Sequence, residues 1–173
     1  NFPQYAISIA LMQRGERTQG VVYDPNRNDL FTASKGQGAF LNDRRIRVSK
    51  KNKMRDALIG TGFPFRDFKY LSDYLKILED IIINTSGVRR PGAAALDLAY
   101  VAAGWLDGFW EIGLSKWDIA AGGLLIREAG GIVSDFSEQQ DWLESGNIIC
   151  SNPDIYEPFI KLVQKKLPEE LKS

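Results

Sequence analysis

A layered α/β protein, with mixed sheets covered by helices, is the fold class that the sequence predicts, and three observations predict it. Over residues 5–62 short apolar runs, several of them alternating with polar residues, are separated by clusters of turn residues. From Phe68 onward the apolar spacing changes to three and four. Beyond Pro91, apolar runs of helical length alternate with short runs of strand length.

The elements follow in order. YAISIALMQ (5–13) and RTQGVVYD (17–24) are split by the turn residues RGE, and DLFTASKG (29–36) follows PNRN, which predicts three strands in a meander. RRIRVS (44–49) alternates charge with Ile46 and Val48, the pattern of an edge strand with its arginines in water. DALIGTG (56–62) predicts a short buried strand ending in a glycine turn. Phe68, Leu71, Leu75, Leu78 and Ile82 then mark an amphipathic helix that stops near Ser86 and Gly87. GAAALDLAYVAAG (92–104) predicts a helix opened by Pro91 and closed by glycine, LDGFWEIG a strand, and WDIAAGGLLIREAGG a further helix. IVSDF and NIICS complete the strands, and 153–167 is a final amphipathic helix. No repeat or linker interrupts the series, so residues 1–173 are expected to form a single domain.

Composition narrows the chemistry. The 22 Lys and Arg balance 22 Asp and Glu, so no overall positive field draws the chain to nucleic acid or to an anionic membrane. Asp97, Asp107 and Asp118 interrupt the apolar stretches too often for a spanning helix, and no basic-then-apolar leader opens the sequence. A soluble, cytoplasmic protein is expected. The chain has no histidine, which removes Ser-His-Asp triads, Cys-His pairs and the commonest zinc ligand together. Acid–base work must therefore fall to carboxylates, hydroxyls or metal-bound water. The single cysteine, Cys150, lies in the apolar run NIICSN and is expected to be a small core residue.

Carboxylates are placed where such chemistry is feasible. Asp118 stands in the first turn of the predicted helix WDIAAGGLLIREAGG, where unpaired backbone N–H groups and the helix dipole stabilise negative charge by about 0.3–1 kcal/mol. Capping alone would explain it. Ala120, Ala121, Gly122 and Gly123 then give up packing and helix propensity, which predicts a close approach to that helix. Glu111 ends the preceding strand seven residues earlier, so a short connection brings both acids to one sheet edge, a hard-oxygen environment suited to Mg²⁺. Gly92, Ala93 and Ala94 begin another helix with amides unobstructed by side chains, an end that takes phosphate or sugar oxygens.

These stretches carry a resemblance. WDIAAGGLLIREAGGIVSDF, preceded by FWEIG and by RRPGAAALDLAYVAAGWLDG, is similar to the C-terminal half of the inositol monophosphatase family, Mg²⁺-dependent and lithium-sensitive phosphomonoesterases, and most closely to its bacterial members. GVVYDPNRNDLFTASKGQGAFLN and TGFPF resemble the family's middle segment in the same order. The resemblance implies an α-β-α-β-α layered sandwich of the sugar phosphatase kind, with only its C-terminal part present. It implies Asp118 as a metal carboxylate lying near a substrate hydroxyl, and Glu111 as the acceptor of a sugar hydroxyl. Gly92, Ala93 and Ala94 match a Gly-Ser/Thr-Ala turn that touches substrate, although Ala93 lacks the usual hydroxyl. The upstream Glu and the Asp-Pro-hydrophobic-Asp-Gly-Thr motif that complete the family's metal cluster do not occur, and Asn1-Phe2 matches only the last two letters of DGTxNF. The implied activity is hydrolysis of inositol 1-phosphate, or a related sugar phosphate, by metal-activated water in a longer protein, these residues alone being inactive. A fructose bisphosphatase or nucleotide-phosphate phosphatase of the same superfamily is less well matched by GAA and EIG.

The resemblance also implies a homodimer and a second role, as a binding partner in bacterial ribosomal RNA transcription antitermination. RRIRVSKKNKMR carries Arg44, Arg45, Arg47, Lys50, Lys51, Lys53 and Arg55 with no acid, which suits RNA or an acidic protein face, although such a run more often marks a solvated edge.

Overall fold

One-sided burial explains the alternation in the first half of the chain. In this computed structural model, which describes residues 2–64, 68–139 and 142–171, strands β1 (Ile7–Gln13), β2 (Glu16–Asp24), β3 (Asp29–Ser34), β4 (Gly38–Leu41) and β5 (Arg44–Ile46) form an antiparallel meander in that order. Val22, Phe31, Ala33 and Ala39 are buried in the core beneath this sheet. On its other face Ile7, Ile9 and Leu11 are 51%, 59% and 43% exposed. As predicted, β5 lies at the edge, with Arg44 and Arg45 exposed.

The second sheet has a core on each face, so its central strands are mostly apolar and buried. It contains β6 (Leu58–Thr61), β7 (Gly87–Arg89), β8 (Gly108–Glu111), β9 (Ile132–Ser134) and β10 (Ile148–Ser151), in the order β7-β6-β8-β10-β9. β6 runs parallel to β7 and β8, whereas β10 is antiparallel to β8 and β9, giving a mixed sheet. The period of two sends successive side chains to opposite cores. Phe109 joins the core between the sheets, and its neighbour Trp110 joins the core on the far side.

Helices α2 (Ala94–Ala102) and α3 (Lys116–Glu128) pack together in the core between the sheets, with Leu96, Leu98, Ile119 and Leu125 fully buried. Helices α1 (Leu71–Asn84) and α5 (Pro153–Gln164) cover the far side through Tyr74, Ile77, Ile81, Ile155, Phe159 and Val163. A one-turn helix, α4 (Trp142–Ser145), drops Trp142 onto α3. The described residues thus supply four layers, sheet, helix pair, sheet and helix pair. The outer helical layer implied against the first sheet is not among them. Asn1, and Phe65 of TGFPF, lie outside the described residues.

The small residues of α3 answer a packing requirement. A Cβ on Gly122 would stand 2.5 Å from Leu98 Cβ of α2, and one on Gly123 would stand 2.2 Å from the Trp142 ring. From the other side, a Cβ on Gly20 of β2 would meet the Ala121 carbonyl oxygen at 3.0 Å. The close approach expected of this helix is therefore made by α2, α4 and the first sheet, and these positions do not line the cleft described below. Cys150 is buried as expected, and burial pushes its thiol pKa up. No helix among the described residues is long and apolar enough to cross a membrane.

Candidate functional site

A cleft of about 370 Å³ opens where the C-terminal end of β8 meets the first turns of α2 and α3. Its lining includes Gly92, Ala93, Ala94, Glu111 and Asp118, so all five residues singled out in the sequence come together. They arrive there for local reasons. Gly92 adopts φ +102°, a conformation that glycine accepts readily, and this turn sets Ala93 in extended geometry as the N-cap of α2. Two amides close that first turn on the Ala93 carbonyl, from Leu96 at 2.9 Å and Asp97 at 3.0 Å. The N–H groups at the helix start have no partner within the helix, and no long side chain at 92–94 shields them. Pro91 precedes the helix and lies outside its first turn.

Glu111 is the last residue of β8 and is 6% exposed. Gly62, just beyond β6, lies so close that a Cβ there would be 2.2 Å from the Glu111 carboxylate. Glycine at this position is what leaves room for the acid. The connection from Glu111 to α3 is pinned from outside: the Gly113 amide donates to Asn147 Oδ1 at 3.1 Å, and the Leu114 amide donates to the Gly146 carbonyl at 2.9 Å. Asp118 Oδ2 accepts the Ser115 amide at 3.0 Å. The capping role and the place in the cleft coexist: one oxygen satisfies the helix start while the residue lines the opening.

Several lining residues were not signalled by the sequence. Asp97, in α2, is 1% exposed, and its Oδ1 is buried without a hydrogen-bond partner. Burial, reinforced by the negative charge of Glu111 and opposed by Arg90, pushes its pKa up to about 8. Arg90 also lines the cleft, its guanidinium 5.0 Å from the centre of the Phe63 ring. Behind the cleft, Tyr74 stacks on Trp110 at 4.6 Å and its hydroxyl lies 3.1 Å from Thr61 Oγ1. Burial pushes the Tyr74 pKa up to about 12.

A magnesium ion requires several hard oxygen ligands in near-octahedral geometry. No group of three or more acidic, histidine or cysteine side chains that could hold a metal occurs among the described residues. The carboxylates gathered here, Asp118 included, therefore do not make a magnesium site by themselves. What the cleft offers is oxygen recognition: helix-start amides for anionic or hydroxyl oxygens on one wall, carboxylates for hydroxyl donors on the other.

The basic run lies elsewhere. Arg44, Arg45, Arg47, Lys50, Lys51, Lys53 and Arg55 are all exposed and none lines the cleft. Val48 ties the run to the end of α3 through the Ala129 carbonyl, and Asn152 Nδ2 donates to Ser49 Oγ and to the Lys51 carbonyl.

Known proteins share this fold and much of this sequence. The sequence profile of the inositol monophosphatase family matches residues 1–167. Nus factor SuhB of Pseudomonas aeruginosa is 50% identical over 172 residues, covering 98% of this chain and 64% of the relative. Inositol-1-monophosphatase of Mesorhizobium japonicum is 50% identical over 165 residues, covering 95% of this chain and 62% of the relative. The crystal structure of the extragenic suppressor protein suhB from Bartonella henselae superposes with a TM-score of 0.91 at 46% identity, covering 95% of this chain and 63% of that one. The chain thus spans just under two thirds of the length of these relatives. Fold and sequence profile agree, and the chain belongs to the inositol monophosphatase family.

Proposed function

We propose that the protein hydrolyses a phosphomonoester of a polyol, inositol 1-phosphate or a related sugar phosphate, in the cleft between β8, α2 and α3. The observation that carries this reading is the meeting of the α2 helix start, Glu111 and Asp118 around one cavity, although they are scattered through the sequence. The amides at Gly92, Ala93 and Ala94 receive phosphate or sugar oxygens, and Glu111 accepts a sugar hydroxyl. Asp118 faces the reacting end. With alanine at 93 this turn contributes backbone contacts and no hydroxyl.

Activity is proposed for a protein of the relatives' full length, as is the dependence on Mg²⁺, with Asp118 as one ligand among others that the described residues do not provide. Lithium sensitivity, a cytoplasmic location and a homodimer belong to the same proposal. Phosphate release from inositol 1-phosphate tests it: Asp118→Ala in the full-length protein abolishes magnesium-dependent turnover, and the 173-residue chain alone shows none. Brisk turnover by the variant or by the short chain contradicts the reading.

A second reading, as a binding partner in ribosomal RNA transcription antitermination, is favoured by the exposed basic run and by the Nus factor name of the Pseudomonas relative. Charge reversal across residues 44–55 then weakens RNA or transcription-complex binding and flattens its salt dependence while sparing turnover. Unchanged binding removes this reading.

A further inference from the structure

Asp97 is a costly residue that the proposed reaction has not used. The stretch AALDLA of α2 is otherwise filled by small and aliphatic side chains, and Leu96 and Leu98 on either side of Asp97 are fully buried. Alanine or leucine would satisfy both helix and core at this position. A carboxylate buried to 1% exposure, with one oxygen lacking any hydrogen-bond partner, suits the first turn of the helix but not the core. No Lys or Arg forms an ion pair with it among the described residues. The nearest cationic influence is Arg90, whose guanidinium lies over the Phe63 ring.

The surroundings of Asp97 point one way. From β8 it meets the negative charge of Glu111, and on β10 the buried Cys150 thiol feels its charge. From the segment before α2 it meets Arg90, and on α3 Asp118 lines the same cleft. Two ionised acids this deep repel, the more strongly in a low-dielectric setting. The less costly arrangement keeps one of them neutral. Asp97 is the one with a buried and unpartnered oxygen.

We propose that Asp97 is a positioning residue that holds a proton beneath the cleft, so that Glu111 is left as the charged acid of the pair, turned to accept a hydroxyl of the ligand. Ionisation of Asp97 places a second negative charge behind Glu111 and displaces it, so polyol recognition weakens on the alkaline side. Asp97 touches no reacting atom; it acts through Glu111. The proposal rests on the polyol-phosphate reading of the cleft given above.

The proton is tested on the chain itself, without turnover. With ¹³C-carboxyl-labelled aspartate, the resonance missing from Asp97→Asn titrates near pH 8 in the wild-type chain. A midpoint in the ordinary carboxylate range, about 4, overturns the proposal. Asp97→Ser, smaller and neutral, identifies the resonance should Asp97→Asn fail to fold. Glu111→Gln lowers the midpoint because it removes the opposing charge, and an unmoved midpoint also overturns the proposal. The positioning is tested in the full-length enzyme with inositol 1-phosphate. KM in the wild type rises about tenfold per pH unit above the Asp97 midpoint while kcat holds, and KM of Asp97→Asn stays flat over the same range. The same rise in both proteins overturns the positioning role. Failure of the wild type to turn over inositol 1-phosphate sinks the functional reading, and the carboxyl titration still decides whether Asp97 carries the proton.

Discussion

Gly62→Ala adds a single methyl group against the Glu111 carboxylate. The new Cβ would stand 2.2 Å from Glu111 Cδ and from both carboxylate oxygens, where ordinary contact begins at 3.4 Å, so the acid must retreat by about 1 Å. Gly62 has no left-handed φ, so alanine meets no backbone penalty there, and Glu111 is the neighbour it strikes. A displacement of about 1 Å at a positioning group costs on the order of 10²-fold in rate, equivalent to about 2.7 kcal/mol of transition-state stabilisation. Stability changes less, by about 1–2 kcal/mol, the scale of one disturbed buried hydrogen bond. The assay is kcat/KM for inositol 1-phosphate in the full-length protein, beside urea unfolding of the same variant. Glu111→Asp in the Gly62→Ala background shortens the acid and recovers part of the loss, a coupling that a double-mutant cycle reads directly. A Gly62→Ala enzyme within about threefold of wild type in kcat/KM would refute the placement of Glu111 against the ligand.

Other consequences are structural. Gly123→Ala sets a Cβ 2.2 Å from the Trp142 ring, and overpacking of about 1–3 kcal/mol outweighs a helix-propensity gain of about 1 kcal/mol, so the urea midpoint falls. An unchanged midpoint contradicts the close α3–α4 packing. Asn152→Ala removes the α5 cap, in which Oδ1 accepts the Asp154 and Ile155 amides at 2.9 and 3.2 Å, and also the Nδ2 bonds to Ser49 and Lys51. Chemical denaturation should show a loss of about 1–3 kcal/mol, and a loss confined to a few tenths removes Asn152 as a tie between the basic run and α5. The raised pKa of Asp97 means that the folded state holds a proton that the unfolded chain releases near pH 4. Its stabilising effect is full below that value and is lost as pH rises to about 8. In Asp97→Asn the decline in stability across this window is shallower, and identical slopes contradict the assignment.

Much of the fold was legible because burial leaves a period. β1 to β3 alternate since one face of the first sheet is covered and the other is not, and α1 shows its three- and four-residue spacing for the same reason. β4 was missed because GAFL is four residues long and is set by pairing with β3 and by the turn at Asn42 and Asp43, both with positive φ. β7 was missed as well, being three residues directly after a helix stop. The small residues of α3 announced a close approach, but Leu98, Trp142 and Gly20, which make it, are distant in sequence. In the cleft, Glu111, Asp118 and residues 92–94 were legible because strand ends and helix starts carry local signals. Asp97 carried none, since an acid within an apolar helix looks the same in sequence whether it faces water or the core. Gly62 and Asn147 reach the cleft through β6 and the segment before β10, contacts that local pattern does not encode.

The central claim is that Asp118, Glu111 and the start of α2 bound one ligand site. Crystals of the full-length protein soaked with Mn²⁺ in place of Mg²⁺, together with inositol 1-phosphate, test it most directly, because manganese is located by its anomalous signal. The account predicts the metal peak beside the Asp118 carboxylate, with the sugar ring between Glu111 and the amides of residues 92–94. A metal and ligand bound elsewhere, with the Asp118 oxygens engaged only by the Ser115 amide and its neighbours, would contradict it.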